Sequence, residues 1–326
     1  MRAAWYTKNG SAREVLTVGE LPTPVAGPGE VRVRLHASGV NPSDVKSRRG
    51  RPLAGPLVVP HSDGAGVIDD VGVGVSPARV GERVWIWNGQ WKRSMGTAAE
   101  FIALPGHQAV ALPDSTDSAA GACLGIPALT AYQAVRLLGD VEGKRVLVIG
   151  ASSVVGHYAT QIAARRARAI VFGTVGSEKK AAHARAAGAS ETIEYKRQDV
   201  VARIRALTEG AGVDAIIDMD FSTTVKMLCA NVLAPHGTLV CYGSNVVGEL
   251  PLPFTNLLTN SLSLRFFLVY ELSESERCRA IDGVTDLLEA GHLAHTIGAR
   301  FPLDQIASAH EAVEAGAFGN VVIELA

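Results

Sequence analysis

Cysteine is scarce in this chain: four thiols in 326 residues, Cys123, Cys229, Cys241 and Cys278, with no Cys-x-x-Cys spacing. That excludes a structural zinc held by four clustered cysteines, and a chain of this length needs no disulfide framework. Buried, reduced thiols in a cytoplasmic protein are the expectation. Net charge is lacking too. With 31 Lys+Arg against 32 Asp+Glu and no concentrated basic run, neither nucleic acid nor an acidic membrane surface is an expected partner. Long apolar runs are also missing. The opening MRAAWYTKNG has no apolar core and the run Phe266–Tyr270 is short, against the roughly 20 residues of a membrane span, so neither a leader nor a membrane segment is expected. No tandem repeat or low-complexity tract occurs.

What is present is enough apolar material, 47% of residues, for two domains of ordinary size. The first 120 residues are rich in Gly, Pro and Val. They carry short alternating stretches such as Glu30–Leu35, separated by turn signals such as Gly27-Pro28-Gly29, which predicts a barrel-like β domain. From about residue 124 apolar strands at 145–149, 169–173, 214–218 and 238–243 alternate with helical segments at 154–167, 177–187 and 198–208. That alternation predicts βαβ units and a parallel sheet. A strand near 263–270 precedes a helix from Ser273 to Ala290, with Ser273 as cap and Glu276 at the capping-box position. Short strands return after Gly291 and end in Val321–Leu325. The expected boundaries are therefore 1–123, 124–270 and 271–326, the tail returning to the first domain.

One short segment suggests chemistry. Gly150-Ala-Ser-Ser-Val-Val-Gly156 follows the strand Val146–Ile149 and opens a helix, a geometry that aims helix-terminal N–H groups at a pyrophosphate. Gly150 can make the tight turn and Gly156 can allow close helix–strand packing. Ser152, Ser153, Val154 and Val155 lie between them, with Ser153 where a middle glycine is usual. Its hydroxyl can bind a phosphate oxygen or cap the helix. The second strand ends in Gly173-Thr-Val-Gly-Ser177 without the acidic residue that would bind a ribose 2′-hydroxyl. Ser177, Lys179 and Lys180 follow, and a lysine there suits the 2′-phosphate of NADPH. A solvated helix face is the competing reading of the two lysines.

Further stretches add specificity: Gly39-Val-Asn-Pro-Ser-Asp44, Asp63-Gly-Ala-Gly-Val67, Val80-Gly-Glu-Arg-Val84, Gly96-Thr-Ala-Ala-Glu-Phe101, Leu129-Thr-Ala-Tyr132 and Ala187-Gly-Ala189. With them the chain resembles, nearly end to end, the zinc-free, zeta-crystallin-like quinone oxidoreductases of the medium-chain dehydrogenase/reductase superfamily. The resemblance implies an α/β protein: a GroES-like β-rich substrate domain from the two chain ends, and a doubly wound Rossmann domain between them. It also implies a catalytic cleft where they meet, NADPH as cofactor, and a homodimer through the last Rossmann strand near Leu262–Tyr270. Residue by residue it implies that Asn41 approaches the nicotinamide and Thr130 faces its carboxamide. Lys180 meets the 2′-phosphate and Tyr195 lies near the adenosine half. Gly243 and Ser244 turn beside the cofactor, and Phe267, Leu268 and Val269 flank the nicotinamide. Three positions depart from the pattern: Asn320 for a frequent lysine, Lys46 for a frequent aromatic, and Ser153-Val154 for Gly-Gly.

Zinc-dependent relatives need Cys, His and further Cys or carboxylate ligands. Here Asn41 stands at the first cysteine position, and alignment on Gly64-Ala65-Gly66 puts Ser62, not His61, at the histidine position. No metal is expected, and His61 is read as a cleft-lining or structural residue. Without a Lewis acid the suited acceptor delocalises its own charge. Reduction of a quinone, by one or two electrons, is one reading; reduction of the C=C bond of an α,β-unsaturated carbonyl is the other. A crystallin-like or RNA-binding role is the non-enzymatic alternative. Asn41 is a neutral donor candidate, and an Asp44–Arg48 ion pair is expected to fix its loop. Lys46, His61 and Trp91 are the candidate substrate contacts, with Trp85 and Trp87 as further members of an aromatic wall.

Overall fold

The computed structural model describes residues 1–246 and 248–325. Two compact units divide the chain: Met1–Ile126 with Thr285–Gly291 and residues 295–325 form the first, Pro127–Val284 with His292–Ala294 the second. The chain passes to the first unit inside the helix Glu274–Glu289, some way beyond residue 271. That helix starts where expected: Ser273 N–H donates to the Glu276 carboxylate (3.2 Å) and Glu276 N–H to the Ser273 hydroxyl (3.4 Å), a reciprocal cap.

In the second unit six parallel strands form one sheet: Arg145–Val148, Ile170–Val175, Glu191–Glu194, Val213–Asp218, Leu233–Cys241 and Ser263–Phe266. Numbered in chain order within the sheet, they lie 3-2-1-4-5-6, the doubly wound order. Helices cover such a sheet on both faces, so its inner strands read as unbroken apolar runs. Val146, Leu147, Val148, Ile216, Ile217, Leu239 and Val240 are accordingly all fully buried. Strand order reverses between the first and fourth strands, which leaves a crevice at their carboxyl ends. The helix Phe221–Leu228 and the edge strand Glu191–Glu194 had no counterpart among the expected elements.

The first unit is built on the eleven-residue strand Glu30–Val40. It pairs with Asp63–Val71, Phe101–Pro105 and Asn320–Glu324. Val31, Val33 and Leu35 alternate into a core shared with Ile68, Val84, Ile102, Val321 and Ile323. The chain's last strand thus closes the sheet begun near its start: Val321 lies opposite Val40 and Glu324 opposite Ala37. Among the described residues no helix is long and apolar enough to cross a membrane.

Candidate functional site

The loop after the first sheet strand of the second unit is tied from both sides. Gly150 takes φ +70°, a conformation glycine adopts without strain; its N–H donates to Thr174 Oγ1 (2.8 Å), and Ala151 N–H donates to the Thr174 carbonyl (3.0 Å). Ser153 is the N-cap of the helix Val154–Gln161 and accepts the Gly156 N–H at 3.1 Å. A Cβ on Gly156 would stand 2.1 Å from the Gly150 carbonyl oxygen, so only glycine lets the helix start this close. A first helical turn has no intrahelical partners for its N–H groups. Gly156 spends its own on Ser153, which leaves those of Val154 and Val155 at the positive end of the helix dipole, suited to an anion. Ser152 is buried beside them.

A second corner forms where the neighbouring strand ends. Ser177 caps the helix Glu178–Ala187 and accepts the Lys180 N–H at 3.4 Å. The Tyr195 ring, 53% exposed, lies over Gly176, where a Cβ would come within 3.2 Å of its hydroxyl. Ser177, Lys180 and Tyr195 are thereby gathered at one place. The nearby acid Glu178 is turned into an ion pair with Arg185.

The turns after the fourth and fifth strands complete the crevice. Gly243 accepts the Phe221 N–H (3.1 Å) and lies too close to the Met219 carbonyl for a side chain, while Met219 Sδ packs against Gly150. Ser244 donates to the Val246 carbonyl at 2.8 Å. Phe267 N–H donates to the Cys241 carbonyl (3.2 Å); Leu268 is partly exposed and Val269 buried. Tyr242 and Asp218 were not singled out from the sequence. The Tyr242 hydroxyl is buried, and desolvation together with Asp218 pushes its pKa up while Ser153 opposes the rise. Burial holds the Asp218 carboxyl up to about 6. Its position at a strand end after Ile216-Ile217 is the signal that could have found it. Thr130, on the helix Leu129–Leu138, is 3% exposed and its hydroxyl has no partner among the described residues. That helix packs on Val154–Gln161 and on the turn Val269–Glu271. An orphaned buried hydroxyl is costly, and an amide-bearing ligand would satisfy it. Glycine clearance, the first-turn N–H groups of Val154 and Val155 and a lysine corner fit the phosphates of a dinucleotide, and this hydroxyl fits its amide end.

In the first unit the polar residues are bound to one another. Asn41 begins the helix Pro42–Gly50; its N–H donates to Asp44 Oδ2 (2.7 Å) and its side-chain Nδ2 to Asp63 Oδ2 (2.8 Å). Ile126 N–H donates to the same Asp63 oxygen at 3.0 Å. A run of hydrogen bonds also ends on the Asp63 main chain, and its direction is fixed by counting protons. The Thr97 hydroxyl donates to the Asp63 carbonyl (2.6 Å), so it must accept from Ser38 (2.8 Å). Ser38 then accepts from His61 Nδ1–H (2.8 Å), and His61 Nε2 accepts from His310 Nε2–H (2.9 Å). Burial keeps both rings neutral, lowering His61 to about 3 and His310 well below its ordinary value.

These contacts correct several expectations. His61 is fully buried with both ring nitrogens engaged, so it presents nothing to a substrate and is a packing residue. Arg48, also fully buried, pairs with Glu314 and donates to the Gly10 carbonyl, not to Asp44. Trp85 and Trp87 are core residues; Trp91 is half-buried between the Arg51 and Lys92 cations, each 5.8 Å from its ring centre. Lys46 is exposed. Asn320 is buried and donates to the Thr296 carbonyl from both its main-chain N–H (2.8 Å) and its side chain (3.1 Å), a strand-pairing role. Asn41, Ser62, Asp63 and His61 do not fit zinc: the first is an amide, the second a hydroxyl, the Asp63 Oδ2 already accepts from two N–H groups, and the imidazole has no free lone pair. Among the described residues no three His, Cys, Asp or Glu side chains converge as metal ligands.

Two sequence families match the chain, one described as an alcohol dehydrogenase GroES-like domain over residues 27–114 and one as a zinc-binding dehydrogenase over 154–285. A quinone oxidoreductase of Pseudomonas aeruginosa is 32% identical and covers 91% of both chains. A 2-haloacrylate reductase of a Burkholderia species is 29% identical over 95% of this chain and 94% of its own. Among solved structures, an NAD-dependent alcohol dehydrogenase superposes with TM-score 0.89 at 31% identity over the whole of both chains. A mycobacterial protein, Rv1454c, complexed with NADPH superposes with TM-score 0.87 at 27% identity, again over both whole chains.

Proposed function

We propose, for a chain that belongs to the quinone oxidoreductase family of the medium-chain dehydrogenase/reductase superfamily, the NADPH-dependent reduction of quinones without zinc. The observation that carries this reading is the pairing of an open helix N-terminus at Val154 and Val155 with the Ser177, Lys180 and Tyr195 corner one strand away. When bound, NADPH supplies a hydride. The first-turn N–H groups hold the pyrophosphate, and Lys180 holds the 2′-phosphate as a point charge. The Thr130 hydroxyl would hold the carboxamide and so orient the ring. The Asn41 amide, which donates to Asp63 and also meets the Asp44 carboxyl, is offered as a neutral donor to the acceptor oxygen as charge develops there. No strong Lewis acid is available from Asn41, Ser62 and Asp63, which favours acceptors that spread that charge over a conjugated ring. The proton that completes reduction comes from water.

Reduction of the C=C bond of an α,β-unsaturated acid or carbonyl is the second reading, favoured by the likeness to a 2-haloacrylate reductase. Steady-state NADPH consumption with a quinone, an alkenal and 2-chloroacrylate, followed together with the semiquinone signal, separates the two. Quinone turnover without alkene turnover is the expected result; no turnover on any acceptor overturns the proposal. The family reading also proposes a homodimer. Among the described residues the strand Ser263–Phe266 pairs only with Leu233–Cys241 and leaves an open edge; Phe254 and Leu258, on the preceding helix, and Phe266, on the strand itself, are exposed, and a second copy would cover this edge. Of the four free cysteines, Cys123 and Cys241 are buried as expected whereas Cys229 and Cys278 are exposed; a reducing cytoplasm is the proposed compartment.

A further inference from the structure

Asp63, like Asp44, stands apart from the ion-paired carboxylates of the first unit. It is fully buried, its partners are N–H groups with no cation among them, and both known donors, Asn41 Nδ2 and Ile126 N–H, reach the same oxygen, Oδ2. Its other oxygen, Oδ1, has no partner among the described residues. A carboxylate in that setting would leave a charge uncompensated, which is far costlier than keeping the proton. Burial, with Asp44 adding to it, accordingly pushes the Asp63 carboxyl well above the usual range. The proton then sits on Oδ1, because Oδ2 is already an acceptor twice over. Space there is tight: a Cβ on Gly125 would lie 2.4 Å from Oδ1 and 2.6 Å from the Ile86 carbonyl.

The main chain of the same residue is held from the opposite side by Thr97, itself ordered by Ser38, His61 and His310. Residue 63 is thus fixed independently of Asn41, whose side chain also meets Asp44 across the helix cap. An acceptor at Oδ2 also fixes which end of the Asn41 amide faces inward, since only the nitrogen can donate.

We propose that Asp63 is a positioning residue that sets the orientation of the Asn41 amide, acting on the reaction only through that amide. The inference rests on the reading that Asn41 serves the acceptor. Asp63→Asn reproduces the arrangement, since its amide oxygen can accept from both Asn41 and Ile126, whereas Asp63→Leu removes the acceptor. Gly125→Ala crowds Oδ1 and the Ile86 carbonyl from the residue that precedes the Ile126 donor, and leaves the Asp63 side chain and the Asn41 donor chemically unchanged. With a quinone as acceptor, Asp63→Asn is expected to stay within about threefold of the parent in kcat/KM. Asp63→Leu is expected to fall about 10- to 100-fold, the scale of a misplaced contact, with the Kd of NADPH unchanged. Adding Asp63→Leu to Asn41→Ala should cause no further loss, because the two act as one unit. A parent-like Asp63→Leu, an additive double variant, or an Asp63→Asn as damaged as Asp63→Leu would each overturn the proposal. If Asp63→Leu does not fold, Gly125→Ala takes its place, with the same unchanged Kd and the same lack of additivity required. Selective ¹⁵N-asparagine labelling gives a readout free of turnover: the Asn41 side-chain amide should exchange slowly in the parent and Asp63→Asn and faster in Asp63→Leu or Gly125→Ala. Equal exchange in all of them refutes positioning. A parent inactive on every acceptor would defeat the proposed function and leave this amide signal to decide the role of Asp63.

Discussion

Replacing Ser153 separates two jobs that one small side chain does. Its hydroxyl lies inside the loop, where a Cβ on Gly156 would come within 2.9 Å of it and one on Gly150 within 3.6 Å, and it caps the helix through the Gly156 N–H. Losing such a cap to alanine costs about 1 kcal/mol, and to glycine only a few tenths. Ser153→Gly also frees the Gly156 N–H as a third donor for phosphate, so NADPH affinity should be held or improved. Ser153→Leu cannot follow the path of the hydroxyl, because Gly150, Gly156 and Tyr242 fill it. The larger side chain must swing over the helix end and cover the Val154 and Val155 N–H groups. Losing one charge-assisted bond of about 2 kcal/mol raises Kd on the order of 30-fold. Fluorescence titration with NADPH measures the affinity, and urea unfolding measures the cap. A Ser153→Leu variant that binds NADPH as tightly as the parent would show that the cofactor does not approach this loop.

Asp44 is buried and raised to about 7, so the folded protein keeps a proton that the unfolded chain releases near pH 4. Its contribution is therefore full below about pH 4 and is lost as pH rises toward 7, by a few kcal/mol at most. Asp44→Asn, whose amide oxygen can still accept the Asn41 N–H, should remove that slope in urea titrations; an unchanged slope contradicts the assignment. Glu314→Gln leaves the buried Arg48 guanidinium without its counter-charge and should cost about 3 kcal/mol in the same assay, whereas a loss under about 0.5 kcal/mol would mean that the pair is not formed. Sedimentation should show a dimer for the parent and a monomer for Phe254→Asp with Leu258→Asp; a monomeric parent removes the proposed edge-strand interface.

The nucleotide unit was legible because its chemistry is local. Parallel strands buried on both faces read as apolar runs, and the loop, the cap and the start of the helix all fall within the stretch Gly150–Gly156. The strand Glu191–Glu194 escaped notice because, at a sheet edge, only Ile193 is fully buried and the alternation is too short to stand out. The interior of the first unit was hidden for a different reason. His61 meets His310 across 249 positions and Arg48 meets Glu314 across 266, pairs that no periodicity connects. Asp44 lies four residues from Arg48, one helical turn, so the local pair was the expected one. The fold instead brings the helix Ile306–Glu314 against Pro42–Gly50 and gives Arg48 a partner from the far end of the chain. Sequence resemblance placed Asn41 near the chemistry, but only the structure shows that its amide is held by Asp63.

The central claim is that Lys180, gathered with Ser177 and Tyr195, makes this a site for the 2′-phosphorylated cofactor. A titration of the purified protein with NADPH and with NADH, repeated on Lys180→Ala, tests it most directly. Tighter binding of NADPH by the parent is predicted, with the preference shrinking by about tenfold in the variant as a charge-assisted contact of roughly 1.5 kcal/mol is lost. Equal affinity of the parent for both cofactors, or a preference that Lys180→Ala leaves intact, would contradict it.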